Sequence, residues 1–433
     1  MPANSVTQLA LLWGKTSPDD PSRRHPLLYH LLDTAAVAQA LWESSFGSAL
    51  RQLFCDALRL DVSRAGRLLS WWIGLHDLGK ASPAFQCKSA EAAAELQAAG
   101  LAFPRRLSRN NPFHHNLISA RVLPEQLRGE PWLYPPGVAA SLAKTLGGHH
   151  GSFPTARELL RLRGREREIG IGPWRAMRVA LVEKLARLCD TAGLDWRPPI
   201  ELEKDQAFWM ALAGLTSLAD WLASATGHFF GCPGAPRRTD SYQPWAAERA
   251  RELITERLIW KRWPETATPS SFNEVFPGLE PFPLQQRVAA MAEKLSGPAL
   301  VIIESPMGEG KTEAALYLAD HWLRRPGCQG LYFALPTMAT ANQMFERVKD
   351  YLAKRLPGGR HNLHLLHSRA SMVDEYKRLK PAGVGDDLGE DSGLVAAEWF
   401  SHRKHGLLSP FAVGTVDQAL MAVLQVRHVF VRL

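Results

Sequence analysis

Apolar residues recur at helical spacing through the first half of the chain, from residue 26 to about residue 228. The clearest stretches are HPLLYHLLDTAAVAQALW, RLLSWWIGLHDLGK and FWMALAGLTSLADWLASA. Breaks that contain proline or glycine separate them, and strand-like alternation is scarce. The pattern predicts an all-α domain over residues 1–230, with Trp71, Trp72 and Trp209 in its core.

The pattern changes after this domain. The turn-rich stretch CPGAPRRTDSYQPW and the helical stretch AAERARELITERLIW predict a linker and a connector helix over residues 231–268. Beyond residue 268, short apolar runs alternate with amphipathic helices. The runs ALVIIE (residues 299–304), GLYFAL, HNLHLLH and FAVGT are typical of buried parallel strands. Residues 269–433 are therefore predicted to form an α/β domain with a parallel sheet, and the chain to be multidomain.

Composition and charge agree with a folded protein that has an anionic partner. Hydrophobic residues make up 46% of the chain and charged residues 22%, and the formal net charge is +8. Such a surplus favours nucleic acid, although basic proteins with other partners are common. The five cysteines form no C-x-x-C pair, which argues against a thiolate zinc site and a disulfide framework. With no signal peptide and no membrane-spanning apolar run, we expect a cytoplasmic protein without membrane partners.

Histidines and aspartates form the first candidate site. His76 and Asp77 are adjacent at the end of an apolar helical segment, and adjacent imidazole and carboxylate ligands can serve one metal ion or two. Further candidates are spread along the first domain: His30, His114 or His115, His149, His150 and Asp220. Taken singly, each has an ordinary explanation as a surface histidine or a salt-bridged helix residue.

Taken in order, these residues resemble the HD phosphohydrolase superfamily. HPLLYHLLDTAAVA, GLHDLGKASPAFQ and GGHHG are similar to its nuclease branch, which is found in the helicase–nuclease effector of type I CRISPR systems. The resemblance implies one metal held by His30, His76, Asp77 and Asp220, and a second held by Asp77, His115, His149 and His150. His115 is preferred to His114 because its spacing to Ser119 fits the family. Asp77 and Lys80 would be the catalytic residues, with Lys80 and Ser217 touching the scissile phosphate.

Two divalent cations suit the hydrolysis of a phosphodiester, because they neutralise the phosphoryl oxygens and lower the pKa of a water. A ligand set rich in histidine suits Mn, Fe, Co or Ni better than Mg alone.

The second candidate site is a phosphate-binding loop. In VIIESPMGEGKTEAALYLA an apolar run precedes Gly308-x-Gly310-Lys311-Thr312 and an amphipathic helix. This order places backbone N–H groups around nucleotide phosphates, with Lys311 reaching the β- and γ-phosphates and Thr312 holding Mg²⁺. Ser305 replaces the first glycine of the strict motif, and a Gly-rich turn without a ligand remains the alternative.

The surroundings of this loop resemble helicase superfamily 2. Gln285 matches the glutamine that reads adenine, which implies ATP with Mg as cofactor. Residues at later DNA-backbone motifs are Pro336, Thr337, Asn342, Gln343, His367, Ser368, Gly414, Thr415 and Asp417. The acidic DExH pair has no match, because Asp374-Glu375 does not follow an apolar strand. We therefore expect the N-terminal portion of a 3′–5′ helicase, truncated before the DExH motif and unable to translocate.

A basic stretch, ARELLRLRGREREIGIGPWRAMRV, adds arginines around Trp174. Arginine with an aromatic ring is typical of single-strand binding, but the neighbouring glutamates fit a solvated helix face equally well.

The sequence thus favours a metal-dependent nuclease that cuts single-stranded DNA and is recruited by a CRISPR RNA-guided surveillance complex (Cascade). One alternative is an HD phosphohydrolase that acts on free nucleotides. Another is a docking and ATP-binding module without nuclease activity.

Overall fold

A computed structural model describes most of the chain, namely residues 9–17, 20, 22–105, 107, 114–225, 227–260, 263, 270–295, 297–324, 328, 330–356, 360–379, 394–401, 405–421, 424 and 431. Its described residues form two compact units. The first takes in the described residues between 9 and 257, apart from residues 45–50, together with residues 421, 424 and 431. The second takes in residues 45–50 and the described residues between 258 and 420. The domain boundaries at 230 and 268 stay predictions, and the compact units divide after Arg257.

The first unit is helical apart from one short hairpin. Its longer helices are α1 (Leu27–Ser44), α2 (Ser48–Leu58), α3 (Val62–Gly74), α4 (Pro83–Gln86), α5 (Ala90–Ala98), α6 (His115–Arg128), α7 (Pro136–Leu146), α8 (Ala156–Leu160), α9 (Glu166–Ile169), α10 (Pro173–Leu188), α11 (Gln206–Ala223) and α12 (Thr239–Glu252). The 3₁₀ segments Leu75–Lys80 and Ile200–Lys204 and a π-helical turn, Leu253–Arg257, join them. This agrees with the all-α prediction.

Helices α1 and α3 pack against each other at the centre of this unit. Both have almost no exposed apolar residue, and Trp71 and Trp72 of α3 are fully buried. Gly74 allows their close approach, because a Cβ there would lie 2.8 Å from Leu185 Cδ2 and 3.1 Å from the carbonyl oxygen of Leu31. The tight packing fixes the end of α3, from which the 3₁₀ segment Leu75–Lys80 continues.

A hairpin precedes α1 and was not predicted. Strands β1 (Trp13–Thr16) and β2 (Arg24–Pro26) pair antiparallel, with Lys15 opposite His25 and a register shift between Trp13 and Lys15. The strands are too short for their alternation to stand out from the helical pattern around them.

The second unit is α/β. Helices α13 (Phe272–Val275), α14 (Pro283–Ala292), α15 (Lys311–Leu323), α16 (Met338–Arg355), α17 (Asp374–Leu379) and α18 (Val416–Leu420) accompany strands β3 (Leu331–Leu335), β4 (His361–Leu366), β5 (Leu394–Val395) and β6 (Phe411–Thr415). The 3₁₀ turns are Ala370–Met372, Glu398–Ser401 and Gly406–Leu408. The strands are all parallel, in the order β3-β6-β4-β5. The predicted parallel sheet is therefore confirmed.

One of the four predicted strands is wrong. Residues 299–304 have no strand partner among the residues that the structure describes, and Leu300 and Ile302 are 88% and 75% exposed. Val301 and Ile303, on the other face, pack against the core of the unit. The alternation is that of a strand, but a strand exists only where a neighbour satisfies its backbone N–H and C=O groups.

No described helix is long and apolar enough to span a bilayer.

Candidate functional site

Four of the predicted metal ligands form one group. The ligand atoms of His30, His76, Asp77 and Asp220 all lie within 4.8 Å of one another. Asp77 Oδ2 is 3.0 Å from His30 Nε2, and Asp220 Oδ1 is 3.5 Å from His76 Nε2. Helix α1, the 3₁₀ segment after α3, and α11 supply these residues.

His115, His149 and His150 form a second group, whose three ligand atoms also lie within 4.8 Å of one another. His115 begins α6, and the other two lie in the turn that follows α7. His115 Nε2 and His150 Nε2 are 3.0 Å apart. The grouping matches the division into two ligand sets that the sequence resemblance implies, while the role of each residue as a ligand stays a prediction.

Asp77 lies between the two groups. Its Oδ2 faces His30 and His76, at 3.0 and 3.3 Å from their Nε2 atoms, and its Oδ1 is 3.2 and 3.4 Å from Nε2 of His115 and His149. The backbone of Asp77 leaves helical geometry, with φ −103° and ψ 19°, a region where active-site residues are frequent. A carboxylate in this position can bind one cation through each oxygen.

Backbone carbonyls orient two of the imidazoles. His76 Nδ1 donates to the carbonyl of Ile73 at 3.0 Å, and His149 Nδ1 donates to that of Leu146 at 2.7 Å. In the neutral form of each ring the proton therefore lies on Nδ1, away from the centre, and Nε2 carries the lone pair that faces the centre, as in most metal-binding histidines.

Three buried polar atoms at the centre have no hydrogen-bond partner among the described residues: His76 Nε2, His149 Nε2 and Asp77 Oδ1. Unsatisfied polar atoms are rare in protein interiors because each costs about 1–3 kcal/mol. All three converge on the space between the two groups, where a cation would satisfy them. The donor set and its orphaned atoms fit a metal site.

Burial and neighbouring charge set the protonation of this centre. Burial lowers the pKa of both His149 and His150 to about 4, so that both rings are neutral and able to bind a cation at neutral pH. Burial also disfavours the charged form of His76, but the carboxylates of Asp77 and Asp220 outweigh it and raise its pKa to about 9. Although burial opposes ionisation of Asp77, the charges of His76 and Lys80 hold its pKa well below the usual range.

Lys80 and Ser217 are engaged with the protein itself. The buried Lys80 Nζ lies 2.6 Å from Asp77 Oδ2 and donates to the carbonyl of Gly14 at 2.8 Å. Ser217 Oγ donates to the carbonyl of His149 at 3.0 Å. These contacts position Asp77 and His149, and the phosphate contacts that the resemblance implies for Lys80 and Ser217 stay a prediction.

Sequence reasoning missed Lys15 of β1. Burial lowers the pKa of Lys15, whereas the charges of Asp220 and Asp77 raise it, which places this cation in the field of the centre. Because Lys15 lies on a short unpredicted hairpin rather than a helix face, neither periodicity nor motif spacing indicates it.

The phosphate-binding loop precedes α15 in the second unit. Gly308 and Gly310 have φ values of 86° and 72°, which favour glycine. Lys311 Nζ donates to the carbonyls of Ser305 and Pro306 at 2.6 and 2.5 Å. Gln285 Nε2 donates to the carbonyl of Gly310 at 3.1 Å, which joins the predicted adenine-reading residue to the loop. A cavity of about 530 Å³ is lined by Gln285, Gly308, Gly310, Lys311 and Thr312 with six neighbours.

The later motif residues lie at strand ends and helix starts. Thr337 caps α16, and Asn342 Oδ1 lies 2.8 Å from His367 Nε2. Thr415 ends β6. Asp374 begins α17 just after the 3₁₀ turn Ala370–Met372, so Asp374-Glu375 does not follow a buried strand, as expected.

The basic stretch, which runs into α10, does not offer the ring of Trp174 to a ligand. Trp174 is 2% exposed and donates from Nε1 to the carbonyl of Ala102 at 2.8 Å. Arg178 is also buried and donates to the carbonyls of Ala81, Ile169 and Gly170. Stacking of a base on Trp174 is therefore wrong, and the two side chains stabilise the fold.

Comparison with known proteins matches both units. The family described as Cas3, HD domain, matches residues 13–229. The CRISPR-associated endonuclease/helicase Cas3 of Thermus thermophilus is 38% identical over 99% of this chain, which covers 45% of that protein. The chain thus spans about half the length of the curated relatives it matches.

Solved structures give the same picture. The crystal structure of T. fusca Cas3-ATP superposes with a TM-score of 0.80 at 33% identity, covering 98% of this chain and 45% of the other. A chain of a CRISPR RNA-guided surveillance complex, pre-nicking, superposes with a TM-score of 0.67 at 29% identity, covering 98% and 42%.

Proposed function

The chain belongs to the Cas3 family through its HD domain, and from that membership we propose that its histidine–aspartate centre hydrolyses phosphodiester bonds of single-stranded DNA. In this proposal two divalent transition metal ions bind there, from among Mn, Fe, Co and Ni. Recruitment by an RNA-guided surveillance complex brings the invader DNA to the site, as the similarity to a chain of such a complex suggests.

In this proposal His30, His76, Asp77 and Asp220 hold one ion, and Asp77, His115, His149 and His150 hold the other. When bound, the ions supply positive charge to the phosphoryl oxygens and activate a water for attack. The chain's own contribution is orientation. The carbonyls of Ile73 and Leu146 fix two rings, and Lys80 holds Asp77 between the two ligand groups.

The second unit contributes nucleotide binding. We assign ATP with Mg to the loop of Gly308, Gly310, Lys311 and Thr312, with adenine read by Gln285. The phosphates of a bound nucleotide would replace the carbonyls of Ser305 and Pro306 as the hydrogen-bond acceptors of Lys311 Nζ. The T. thermophilus relative is named an endonuclease/helicase, which supports a 3′–5′ helicase activity of the whole protein rather than of residues 1–433 alone.

The observation that carries the nuclease proposal is the convergence of three orphaned buried atoms, His76 Nε2, His149 Nε2 and Asp77 Oδ1, between two sets of ligands. A centre built only for fold stability would join these atoms by hydrogen bonds, yet His149 Nε2 and Asp77 Oδ1 lie 3.4 Å apart and form none. Their common direction supports two cations bridged by Asp77.

The test is cleavage of circular single-stranded DNA by chelator-stripped protein supplied with Mn²⁺, Co²⁺, Ni²⁺ or Mg²⁺, without ATP. A circle has no ends, so its loss requires attack on an internal phosphodiester. We expect cleavage with a transition metal, and loss of cleavage in Asp77→Ala. Asp190→Ala removes an exposed aspartate of the same unit and should cut like the unsubstituted chain.

The alternatives give other results. Intact circles together with metal-dependent hydrolysis of deoxynucleoside triphosphates would replace the proposal by a nucleotide phosphohydrolase. Intact circles and intact nucleotides under every metal would leave a docking and ATP-binding module.

A further inference from the structure

The first unit contains a cleft of about 980 Å³ whose lining includes none of the residues of the two ligand groups. It is lined by residues of the β1–β2 turn, the start of α1, α10 and the segment before α12. We call it the arginine cleft, after four of its exposed lining residues, Arg23, Arg187, Arg237 and Arg238. Its volume is at the upper end of the roughly 300–1,000 Å³ of small-ligand pockets.

Positively charged residues predominate in the lining of the arginine cleft. Its described lining includes six lysines and arginines and a single carboxylate, Asp240, which lies 3.8 Å from Lys184. Within the described part of the chain, the structure gives Arg23, Arg237 and Arg238 no ion pair. Clustered cations that lack protein partners point to an anionic ligand.

Aromatic rings complete the lining. Phe230 is half-buried, with its ring centroid 5.0 Å from that of His25, and Tyr29 stacks on Tyr242 at 3.8 Å. Tyr29 also donates from its hydroxyl to the carbonyl of Arg237 at 2.5 Å, which fixes the arginine segment against α1. Arginines beside accessible rings bind the phosphates and bases of a single strand without reading its sequence.

The arginine cleft and the metal centre are built on the same helix. Tyr29 lines the cleft, and His30, the next residue of α1, belongs to the first ligand group. Two cleft residues also hold the buried Asp33, one turn further along α1. His25 Nε2 lies 2.7 Å from its Oδ2, and Tyr242 donates to its Oδ1 at 2.8 Å. A ligand in the cleft would therefore lie against the helix that carries His30.

We propose that the arginine cleft binds the backbone of single-stranded nucleic acid and holds the strand beside the metal centre. The inference rests on the proposed phosphodiesterase function. An acidic polypeptide would satisfy the arginines but makes less use of the rings Phe230 and Tyr29, so a nucleic acid strand is the better fit.

The test compares Arg237→Ala/Arg238→Ala with a matched control, Arg128→Ala/Arg197→Ala. The control removes two arginines that are exposed, lie outside the cleft and have no ion pair within the described part of the chain. Binding of a labelled mixed-sequence single strand is followed by fluorescence anisotropy in EDTA over a salt series. We expect the cleft variant to bind about 10- to 30-fold more weakly at 0.1 M salt, with the salt slope reduced by about 1.4, as two phosphate contacts predict. The control should keep the original slope.

A second measurement reports on the cleft directly. Cys232 is a half-buried lining residue, and Cys328 of the second unit is exposed and serves as a reference. We expect the single strand to slow maleimide modification of Cys232, read by peptide mass spectrometry, and to leave Cys328 unaffected. Arg23→Ala, which changes a cleft residue between β1 and β2, repeats the binding test if the double variant does not fold.

Equal affinity and slope in the cleft and control variants, with Cys232 unprotected, would overturn the proposal. Loss of poly-L-glutamate binding without loss of strand binding would instead assign the cleft to an acidic polypeptide. Hydrolysis of bis(4-nitrophenyl) phosphate separates the two proposals, because this small diester needs the metal centre but not the cleft. The rate of this hydrolysis should be the same in the cleft variant as in the unsubstituted chain. If the unsubstituted chain does not hydrolyse the diester, the proposed phosphodiesterase function is contradicted, and the binding test of the cleft still stands.

Discussion

The backbone N–H of Gly79 donates to Ser119 Oγ at 2.8 Å. This bond joins the 3₁₀ segment that carries His76 and Asp77 to the helix that begins at His115. A Cβ at Gly79 would lie 2.1 Å from the carbonyl oxygen of His115 and 2.4 Å from the amide nitrogen of Ser119. The approach of the two ligand groups therefore depends on the absence of a side chain at residue 79.

Gly79→Ala should separate the two ligand groups. Because backbone atoms are the obstacle, α6 must shift, and we expect a loss of about 1–3 kcal/mol of unfolding free energy, as in other overpacked sites. The metal content of the purified protein, measured by native mass spectrometry, should fall from the two ions per chain that we propose to about one, and a thermal melt should report the loss of stability.

Gly193→Ala is the matched control, because a Cβ there meets nothing within 4 Å and φ is not positive. A Gly79→Ala protein with unchanged melting temperature and metal content would show that α6 does not depend on this contact.

Lys80→Met tests whether this lysine positions Asp77 or touches the phosphate. The ammonium group is 2.6 Å from Asp77 Oδ2, so its removal should weaken Mn²⁺ binding about 10- to 100-fold, as other changes behind a metal ligand do. Cleavage should then recover at high Mn²⁺. The readout is cleavage rate against Mn²⁺ concentration, with the exposed Lys144→Ala as control.

A different outcome would favour the role implied by the family resemblance. If Lys80→Met keeps its Mn²⁺ affinity but cleaves slowly at saturating Mn²⁺, the lysine acts on the phosphate.

Lys311→Ala should impair nucleotide binding alone. A hydrogen bond to a charged group contributes roughly 1.5–3 kcal/mol, so ATP affinity should fall about 10- to 100-fold in isothermal titration calorimetry. Metal-dependent cleavage of circular DNA without ATP should stay at its original rate, since Lys311 and the metal centre belong to different units. Lys294→Ala, an exposed lysine of the second unit, is the control. Loss of both activities would mean that the units do not function separately.

Asp320→Ala should destabilise the second unit. Asp320 is 1% exposed and accepts from Arg324 Nε and Arg355 Nε, both at 2.8 Å, and from the Tyr351 hydroxyl at 2.9 Å. Removing the carboxylate takes away the anionic partner of two largely buried guanidinium groups, which should lower the free energy of unfolding by about 3–5 kcal/mol. Urea unfolding should show this loss, and the exposed Asp350→Ala should not. A normal transition would mean that the arginines find other acceptors.

The sequence was most informative where chemistry depends on residue type and order. His30 and Asp220 are 190 positions apart, yet they form one group with His76 and Asp77, as the order of these residues and the resemblance to the HD superfamily indicated. Lys15 and the pairing of His25 with Asp33 were not foreseen, since both depend on a hairpin too short to show a period of two. Distances such as that between Gly79 and Ser119 follow from packing, which no local pattern encodes.

The wrong strand has a different cause. Residues 299–304 alternate as a strand should, with Val301 and Ile303 facing the core, yet strand formation also requires a partner from elsewhere in a chain.

Residues 299–304 give the second unit an exposed apolar segment that could pair with another chain. Leu300 and Ile302 lie in solvent beside backbone groups that no described strand pairs, and Met307 follows at 97% exposure. The unpaired backbone N–H and C=O groups of such a segment can form hydrogen bonds with any extended segment that reaches them, including the same segment of another molecule. Concentrated solutions of residues 1–433 should therefore self-associate through this stretch, and a charged residue in place of Ile302 should keep them dispersed.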